Sequence, residues 1–295
     1  MIRISAIGGL GNQLFIWNLA HLLEAKYKRG VRIYYPKTGT GRKCEISRLT
    51  EFCTHKIEVV ESNRLSNSFG VLNRLRRKSS FVANALSRSF SIVQTSLPVD
   101  SFTFTDKPPR FINGYFQTTD LVEKAWSLYS DEILGFVAST VEESRFRKSE
   151  VLSSKMIHIR RGDFVVNKQT VGLLAIEYFS EQVHPEEAIT ILTDADSRDS
   201  EILKNFPNAL ILGTDSVDTW TSFSLLANSN YLIASNSTFS WWAGILSAAQ
   251  GGLVIAPTPW TLTNVYGENY LNCDKFHYRE SIFEQAIPES ENLWR

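Results

Sequence analysis

The sequence predicts an α/β protein built as two domains, each around a parallel sheet. Three observations carry that reading. Strand-like and helix-like segments alternate along most of the chain, which is the grammar of βαβ units. Glycines or polar residues follow several of the strand-like segments, at the end where open α/β sheets hold their ligands. The chain has 295 residues, and roughly 100–200 residues per domain make that two domains.

Taken in order, Ile2, Ile4 and Ala6 alternate and run into Gly8-Gly9-Leu10-Gly11-Asn12-Gln13. Leu14, Phe15, Leu19, Leu22 and Leu23 then recur at helical spacing, so a strand, a glycine turn and a helix are expected. Residues 31–35 read as the next strand and complete a βαβ unit. Within 62–99, Val71, Leu72, Leu75, Val82, Ala85 and Leu86 can share a helical face. Residues 111–116 read as a strand and 119–135 as a helix. The second half repeats the pattern: strands at 156–159, 188–192, 209–212, 231–234 and 253–256, helices at 175–183, 219–227 and 240–249. The polar stretch 139–154, rich in Glu, Arg and Ser, reads as a linker. The expected domains are therefore 1–150 and 151–275, with a C-terminal segment, 276–295, packing back on the first.

Composition excludes several function classes. Lys and Arg number 31 and Asp and Glu 31, so the net charge is zero and non-specific nucleic-acid binding, which needs a basic surplus, is not expected. No apolar run approaches the roughly 18 residues of a membrane span. No charged n-region and apolar core precede the first strand, so no signal peptide is expected. Three cysteines, Cys44, Cys53 and Cys273, form no C-x-x-C pair, which fits a reducing, cytoplasmic setting without a disulfide framework. The charge balance fails locally. Arg64, Arg74, Arg76, Arg77, Lys78 and Arg88 lie between Ser62 and Val99 without one acidic residue. Such a patch suits peripheral contact with the anionic inner face of a plasma membrane, and equally a solvated helix face. Aromatic residues do not alternate with its charges as base stacking would need.

Three segments carry chemistry. The glycine turn lets backbone N–H groups approach an anion at a helix start, or it is a tight turn with Asn12 and Gln13 capping the helix. In His158-Ile159-Arg160-Arg161-Gly162-Asp163, two arginines at the end of a strand can clamp a diphosphate while Asp163 orients one of them. They can also form a structural ion pair. In Asn236-Ser237-Thr238-Phe239-Ser240-Trp241-Trp242, hydroxyls and helix N–H groups can bind phosphate oxygens, or Ser237 or Ser240 caps the helix ahead of buried tryptophans. Asp194-Ala195-Asp196 has the form of a metal-binding D-x-D, but Asp196-Ser197 also reads as an ordinary helix start. No histidine has metal-ligand spacing, and no G-x-S-x-G elbow or cysteine setting supports covalent catalysis.

At these residues, and at Val254-Ile255-Ala256-Pro257 with Trp260, the sequence resembles the bacterial α-1,2-fucosyltransferases, whose family includes the blood-group H galactoside 2-α-L-fucosyltransferases. The resemblance implies a GT-B fold, two Rossmann-like domains facing across a cleft, with the nucleotide sugar on the C-terminal domain and the acceptor on the N-terminal one. It implies inverting transfer of L-fucose from GDP-β-L-fucose to the 2-hydroxyl of a terminal galactoside, with no metal and no cofactor beyond the donor. The acceptor would be a glycan, lipid-linked in O-antigen or other surface polysaccharide synthesis.

On that basis Arg160 takes the charge that grows on the leaving diphosphate, and Arg161 supports the loop or the second phosphate. Ser237, Thr238 and the backbone near Phe239, with Asn236 and Ser240, bind the diphosphate. His158 meets the guanine or ribose, Asp194 lies in the donor site, and Gly9 and Gly11 of the glycine turn are counted with the donor-binding residues. Asn12 orients the acceptor hydroxyl or a phosphate. Asp163 is the nearest motif carboxylate for the acceptor proton, with late proton loss to water or phosphate as the alternative. The chain departs from the family pattern at Ser222, where an acidic residue is usual; Asp218 is the nearest carboxylate. Transfer of another GDP-sugar leaves the phosphate clamp unchanged. A non-catalytic glycan- or nucleotide-binding module is the remaining reading.

Overall fold

The computed structural model describes residues 1–36, 43–53, 57–62, 92–94, 102–146, 154–166, 168–169, 171–184, 186–195, 199–263, 266–267 and 270–284. The chain divides into two compact units, Met1–Phe136 and Val137–Arg295, each with one sheet whose neighbouring strands are all parallel. The α/β class with two Rossmann-like domains is thus observed.

In the first unit, β1 (Ile2–Ser5), β2 (Val31–Tyr35), β3 (Ile57–Glu61), β4 (Ile92–Gln94) and β5 (Phe111–Asn113) lie in the order β3-β2-β1-β5-β4. The order turns back between β1 and β5. The helix α1 (Leu10–Tyr27) buries Leu14, Phe15, Trp17, Leu19, Ala20 and Leu23 completely. A helix apolar on most sides belongs in a core. After α2 (Ile46–Phe52) and the last three strands comes α3 (Thr119–Glu143). Its buried residues Leu121, Ala125, Tyr129, Ile133, Val137 and Val141 recur every four, so one face stays covered along its length. That is why the helix outruns the expected 119–135. Gly135 does not end it, since Phe136 and Val137 just beyond are buried. The helix also takes the first residues of the stretch expected as a linker, of which 147–153 lies outside the described residues. Asn18 ties α1 to α3: its Nδ2 donates to the Leu121 carbonyl at 3.1 Å and its Oδ1 accepts from the Tyr129 hydroxyl at 2.6 Å.

The second unit contains β6 (Lys155–Ile159), β7 (Ile189–Thr193), β8 (Leu210–Leu212), β9 (Tyr231–Ile233), β10 (Leu253–Thr258) and β11 (His277–Glu280), ordered β11-β10-β9-β6-β7-β8. Counted within the sheet this is 6-5-4-1-2-3, the doubly wound order, with its switch point between β6 and β9. Its helices are α4 (Gly162–Val166), α5 (Ile176–Ser180), α6 (Ser200–Asn205), α7 (Thr219–Ala227) and α8 (Thr238–Ala249). Ile157, Ile159, Ile191, Ile233 and Ile255 of the strands pack with Tyr178 and Phe179 of α5. Trp241 and Trp242 of α8 are fully buried, and the Trp241 indole donates to the Leu271 carbonyl at 2.7 Å.

Of the segment 276–295, expected to pack back on the first domain, residues 277–280 form a strand of the second unit's sheet. Strand β11 pairs with β10 from Ile255↔His277 to Thr258↔Glu280, and Phe276 is buried beside the Trp241 ring. The pairing satisfies the backbone of an otherwise open sheet edge, so the segment stays with the second unit. Residues 285–295, the helical face read at 71–86 and the basic patch at 64–88 lie outside the described residues. Among the described residues no helix is long and apolar enough to cross a membrane.

Candidate active site

The register Met156↔Leu232, Ile157↔Ile233 delivers the residues after β6 and after β9 to one sheet edge, at the switch point. The two motifs that open there are joined beneath the surface by His158. Its Nδ1 lies 2.5 Å from the Ser240 Oγ and 3.2 Å from the Ser235 Oγ, and its ring packs on Phe239 at 5.1 Å between centroids. Ser237 caps α8, its Oγ accepting from the Ser240 N–H at 3.2 Å while its hydroxyl reaches the Ser240 Oγ at 3.2 Å. His158, Ser235, Ser237 and Ser240 are all buried; they hold the edge from behind. Thr238 and Phe239, the first residues of α8, are partly exposed.

Burial, and then the charge of Arg160, lower the His158 pKa to about 3. The imidazole is therefore neutral at physiological pH. Because the folded value lies below the unfolded one of about 6.5, the unfolded chain takes up this proton first. Stability present above pH 6.5 is lost as pH falls from there towards 3. Urea unfolding midpoints measured between pH 7 and 4.5 are expected to fall steeply, and less steeply in His158→Gln; parallel slopes would contradict a buried neutral imidazole.

Arg160 stands in front of this network. Its Nη2 meets the Asp163 Oδ1 at 2.5 Å, its Nη1 meets the Asp194 Oδ2 at 2.7 Å, and the guanidinium lies 5.4 Å over the Phe164 ring. Its Nε is buried with no hydrogen-bond partner among the described residues. Asp194 is held in turn by the Arg161 backbone N–H, which donates to Oδ1 at 2.6 Å. A Cβ on Gly162 would sit 2.1 Å from the Asp194 Oδ2, so the approach of that carboxylate requires glycine.

His158, expected at the guanine or ribose, is thus buried with its Nδ1 against the Ser235 and Ser240 hydroxyls. Of the two roles expected for Arg161, support of the loop or of the second phosphate, its contacts match the first: it is buried, its Nη2 pairs with the Glu201 Oε2 at 2.7 Å and its Nη1 with the Glu284 carboxylate. With both edges of the guanidinium taken by carboxylates, it supports the turn. Asn236, also buried, donates to the Gly172 carbonyl at 3.0 Å and so braces a neighbouring loop. Asp218, the carboxylate nearest Ser222, caps α7 by accepting from the Trp220 and Thr221 N–H groups at 3.0 and 3.2 Å.

The glycine turn lies at the β1/β5 switch point of the first unit. Gly9 is the N-cap position of α1, Gly11 is buried in its first turn, and Gly8 takes φ 90°. The Gly8 carbonyl accepts from the Gln13 amide and the Tyr35 hydroxyl, each at 3.0 Å. Gln13 does not cap α1. Its Oε1 accepts from the Glu45 and Ile46 N–H groups at 2.9 and 3.2 Å, bracing the start of α2. Asn12 Oδ1 accepts from the Gln117 Nε2 at 2.9 Å. Gln117 was not among the expected site residues, although Gly114 to Gln117 follows β5 much as Gly8 to Gln13 follows β1. Phe116, buried at φ 53°, turns the backbone there through a region that costs a bulky side chain energy.

The sequence profile of glycosyl transferase family 11 matches residues 71–272, well over half of the chain and including the motifs at 158–163 and 236–242. The chain belongs to glycosyl transferase family 11. The O-antigen biosynthesis glycosyltransferase WbnK of Escherichia coli is 23% identical over 292 residues, 87% of this chain and 94% of that protein. An α-1,2-colitosyltransferase of Escherichia coli is 32% identical over 123 residues, 37% of this chain and only 41% of that protein. Among solved structures, the E. coli heptosyltransferase WaaC with ADP-2-deoxy-2-fluoro heptose is similar at TM-score 0.48 and 10% identity, covering 94% of this chain and 92% of that one.

In this family 11 glycosyltransferase, no group of three His, Cys, Asp or Glu among the described residues is gathered to hold a metal ion. Of the D-x-D carboxylates, Asp194 is committed to Arg160 and the Arg161 N–H, and Asp196 lies outside the described residues. Burial pushes the Cys44 thiol up to about 11 and the Cys53 thiol up to about 12, so neither is a thiolate at neutral pH.

Proposed function

We propose that this glycosyltransferase moves L-fucose from GDP-β-L-fucose to the 2-hydroxyl of a terminal galactoside, with inversion and without a metal, in the synthesis of a surface glycan such as an O-antigen. One observation carries the reading: an arginine whose buried Nε has no partner among the described residues, fixed by Asp194 at the switch point of a doubly wound sheet. Family membership and the WbnK relationship support the glycan setting. The acceptor oxygen attacks C1, the C1–O bond to the β-phosphate breaks, and its electron pair leaves on GDP. A fixed guanidinium aimed at that oxygen stabilises the growing charge. Thr238, at the start of α8, and the helix N–H groups serve the other phosphate oxygens.

Arg160 is shared by two carboxylates, so a diphosphate takes it in place of one of them. Asp163, 44% exposed against 18% for Asp194, is the one that yields. Once released, it is the carboxylate at hand for the acceptor proton; an acid limb in the pH profile of kcat that disappears in Asp163→Asn separates this route from proton loss to water. Asn12, oriented by Gln117, is assigned to the acceptor side, and His158 acts from behind the donor edge. The basic residues at 64–88 are assigned to an anionic membrane, with salt-sensitive co-sedimentation on anionic vesicles as the test.

A second donor is favoured by one relative. Colitose, the sugar in the name of the 32% identical protein, is L-fucose without the 3-hydroxyl. GDP release from GDP-fucose and GDP-colitose, measured with a panel of β-galactosides, decides between them. A site that hydrogen-bonds the 3-hydroxyl rejects the deoxy donor; faster turnover of GDP-colitose would replace fucose in the proposal.

A further inference from the structure

We propose that residues 281–284 form a strap that positions the donor site, and that Glu284 is the positioning residue through which the strap acts on Arg160. The proposal rests on the reading of Arg160 as the group that takes the diphosphate charge.

The strap leaves the sheet after β11 and is fastened along its length. The Ser281 N–H donates to the Thr258 carbonyl at 2.9 Å, the Ala175 N–H to the Ile282 carbonyl at 2.8 Å, and the Glu284 N–H to the Leu173 carbonyl at 2.8 Å. Phe283 bridges Leu174 in antiparallel fashion. Its ring lies so close to Gly172 that a Cβ there would be 2.5 Å away, so the loop 171–175 and the strap are packed as one piece.

From that piece two ties run to the donor motifs. The Gly172 carbonyl accepts from Asn236, two residues before α8. The Glu284 carboxylate takes one edge of the Arg161 guanidinium, whose other edge goes to Glu201 at 2.7 Å. A guanidinium as buried as that of Arg161, whose side chain is 7% exposed, stays where its carboxylates hold it. The Arg161 backbone N–H fixes Asp194, and Asp194 fixes Arg160. Displacing Arg161 therefore displaces Arg160 through a single carboxylate. Glu284 contacts Arg161 and not Arg160, and its influence on the reaction is relayed.

The test is a double-mutant cycle with GDP-fucose and a β-galactoside. Glu284→Gln is expected to lower kcat about tenfold or more, as a misplaced charge-stabilising group does, with the acceptor KM unchanged. In the Arg160→Ala background the same substitution is expected to change nothing, because the group it positions is gone. Thermal unfolding checks that each variant folds. If Glu284→Gln does not, Glu201→Gln, on the 53% exposed partner of the same guanidinium, is expected to give the same non-additivity. Wild-type kcat in Glu284→Gln beside an impaired Arg160→Ala would overturn the strap alone, as would equal fold losses in both backgrounds. Full turnover in Arg160→Ala would overturn the reading of Arg160 and the strap with it.

Discussion

Arg160→Ala is expected to lower kcat by about 10²–10³-fold, the loss seen when a preorganised oxyanion-stabilising donor is removed. The guanidinium is held against Asp194 and stacked over Phe164, so it needs no reorganisation as charge develops on the leaving phosphate. Removing it leaves Asp163 and Asp194 together without their cation, which adds repulsion to the lost attraction. Arg160→Lys retains the charge but not the planar fork that meets a carboxylate and a phosphate at once, and is expected to recover only part of the rate. Steady-state GDP release, with folding checked by thermal unfolding, measures both variants. Wild-type kcat in Arg160→Ala would remove the charge-stabilising role.

Gly162→Ala is expected to cost nearly as much, although the residue has no side chain to offer. The added methyl would lie 2.1 Å from the Asp194 Oδ2, well inside contact distance, and that oxygen is the one bonded to Arg160. Either Asp194 swings away and loses the Arg161 N–H, or the turn opens and carries Arg160 with it. A displacement of about 1 Å in a positioned group lowers rates about 10²-fold. The expected signature is a kcat loss of that order with GDP affinity reduced by much less, read by steady-state kinetics and calorimetry. Unchanged kcat would mean that Arg160 does not depend on this carboxylate.

Most of the fold was legible because the buried strands are short runs of Ile, Leu and Val, and their helices carry apolar residues at regular spacing. The elements that escaped have physical reasons. In β3, Glu58 and Glu61 stand on an edge strand that is half exposed, which blurs its alternation. Strand β4 has three residues, and β11 is mostly exposed at the other sheet's edge.

The site was legible in its residue types and less so in its roles. Alternation along β6 separates Arg160 from Arg161 but does not say which one faces the ligand. That is decided by Glu201 and Glu284, 40 and 123 residues further along the chain, which no local pattern reaches. Asn236 and His158 likewise stand out as motif residues, yet their partners, the Gly172 carbonyl and the Ser235 and Ser240 hydroxyls, place them in support of the edge. Gln117 has no such signal: a single glutamine after a short strand means nothing until the sheet brings it to Asn12.

In the proposed reaction Arg160 does the work of a metal in transferring a sugar from a GDP donor. Acceptor-dependent release of GDP from GDP-fucose, measured with β-galactosides in the presence and absence of EDTA, tests it most directly. Turnover is expected to be the same with EDTA and to be lost in Arg160→Ala. Turnover abolished by EDTA and restored by a divalent cation would contradict it.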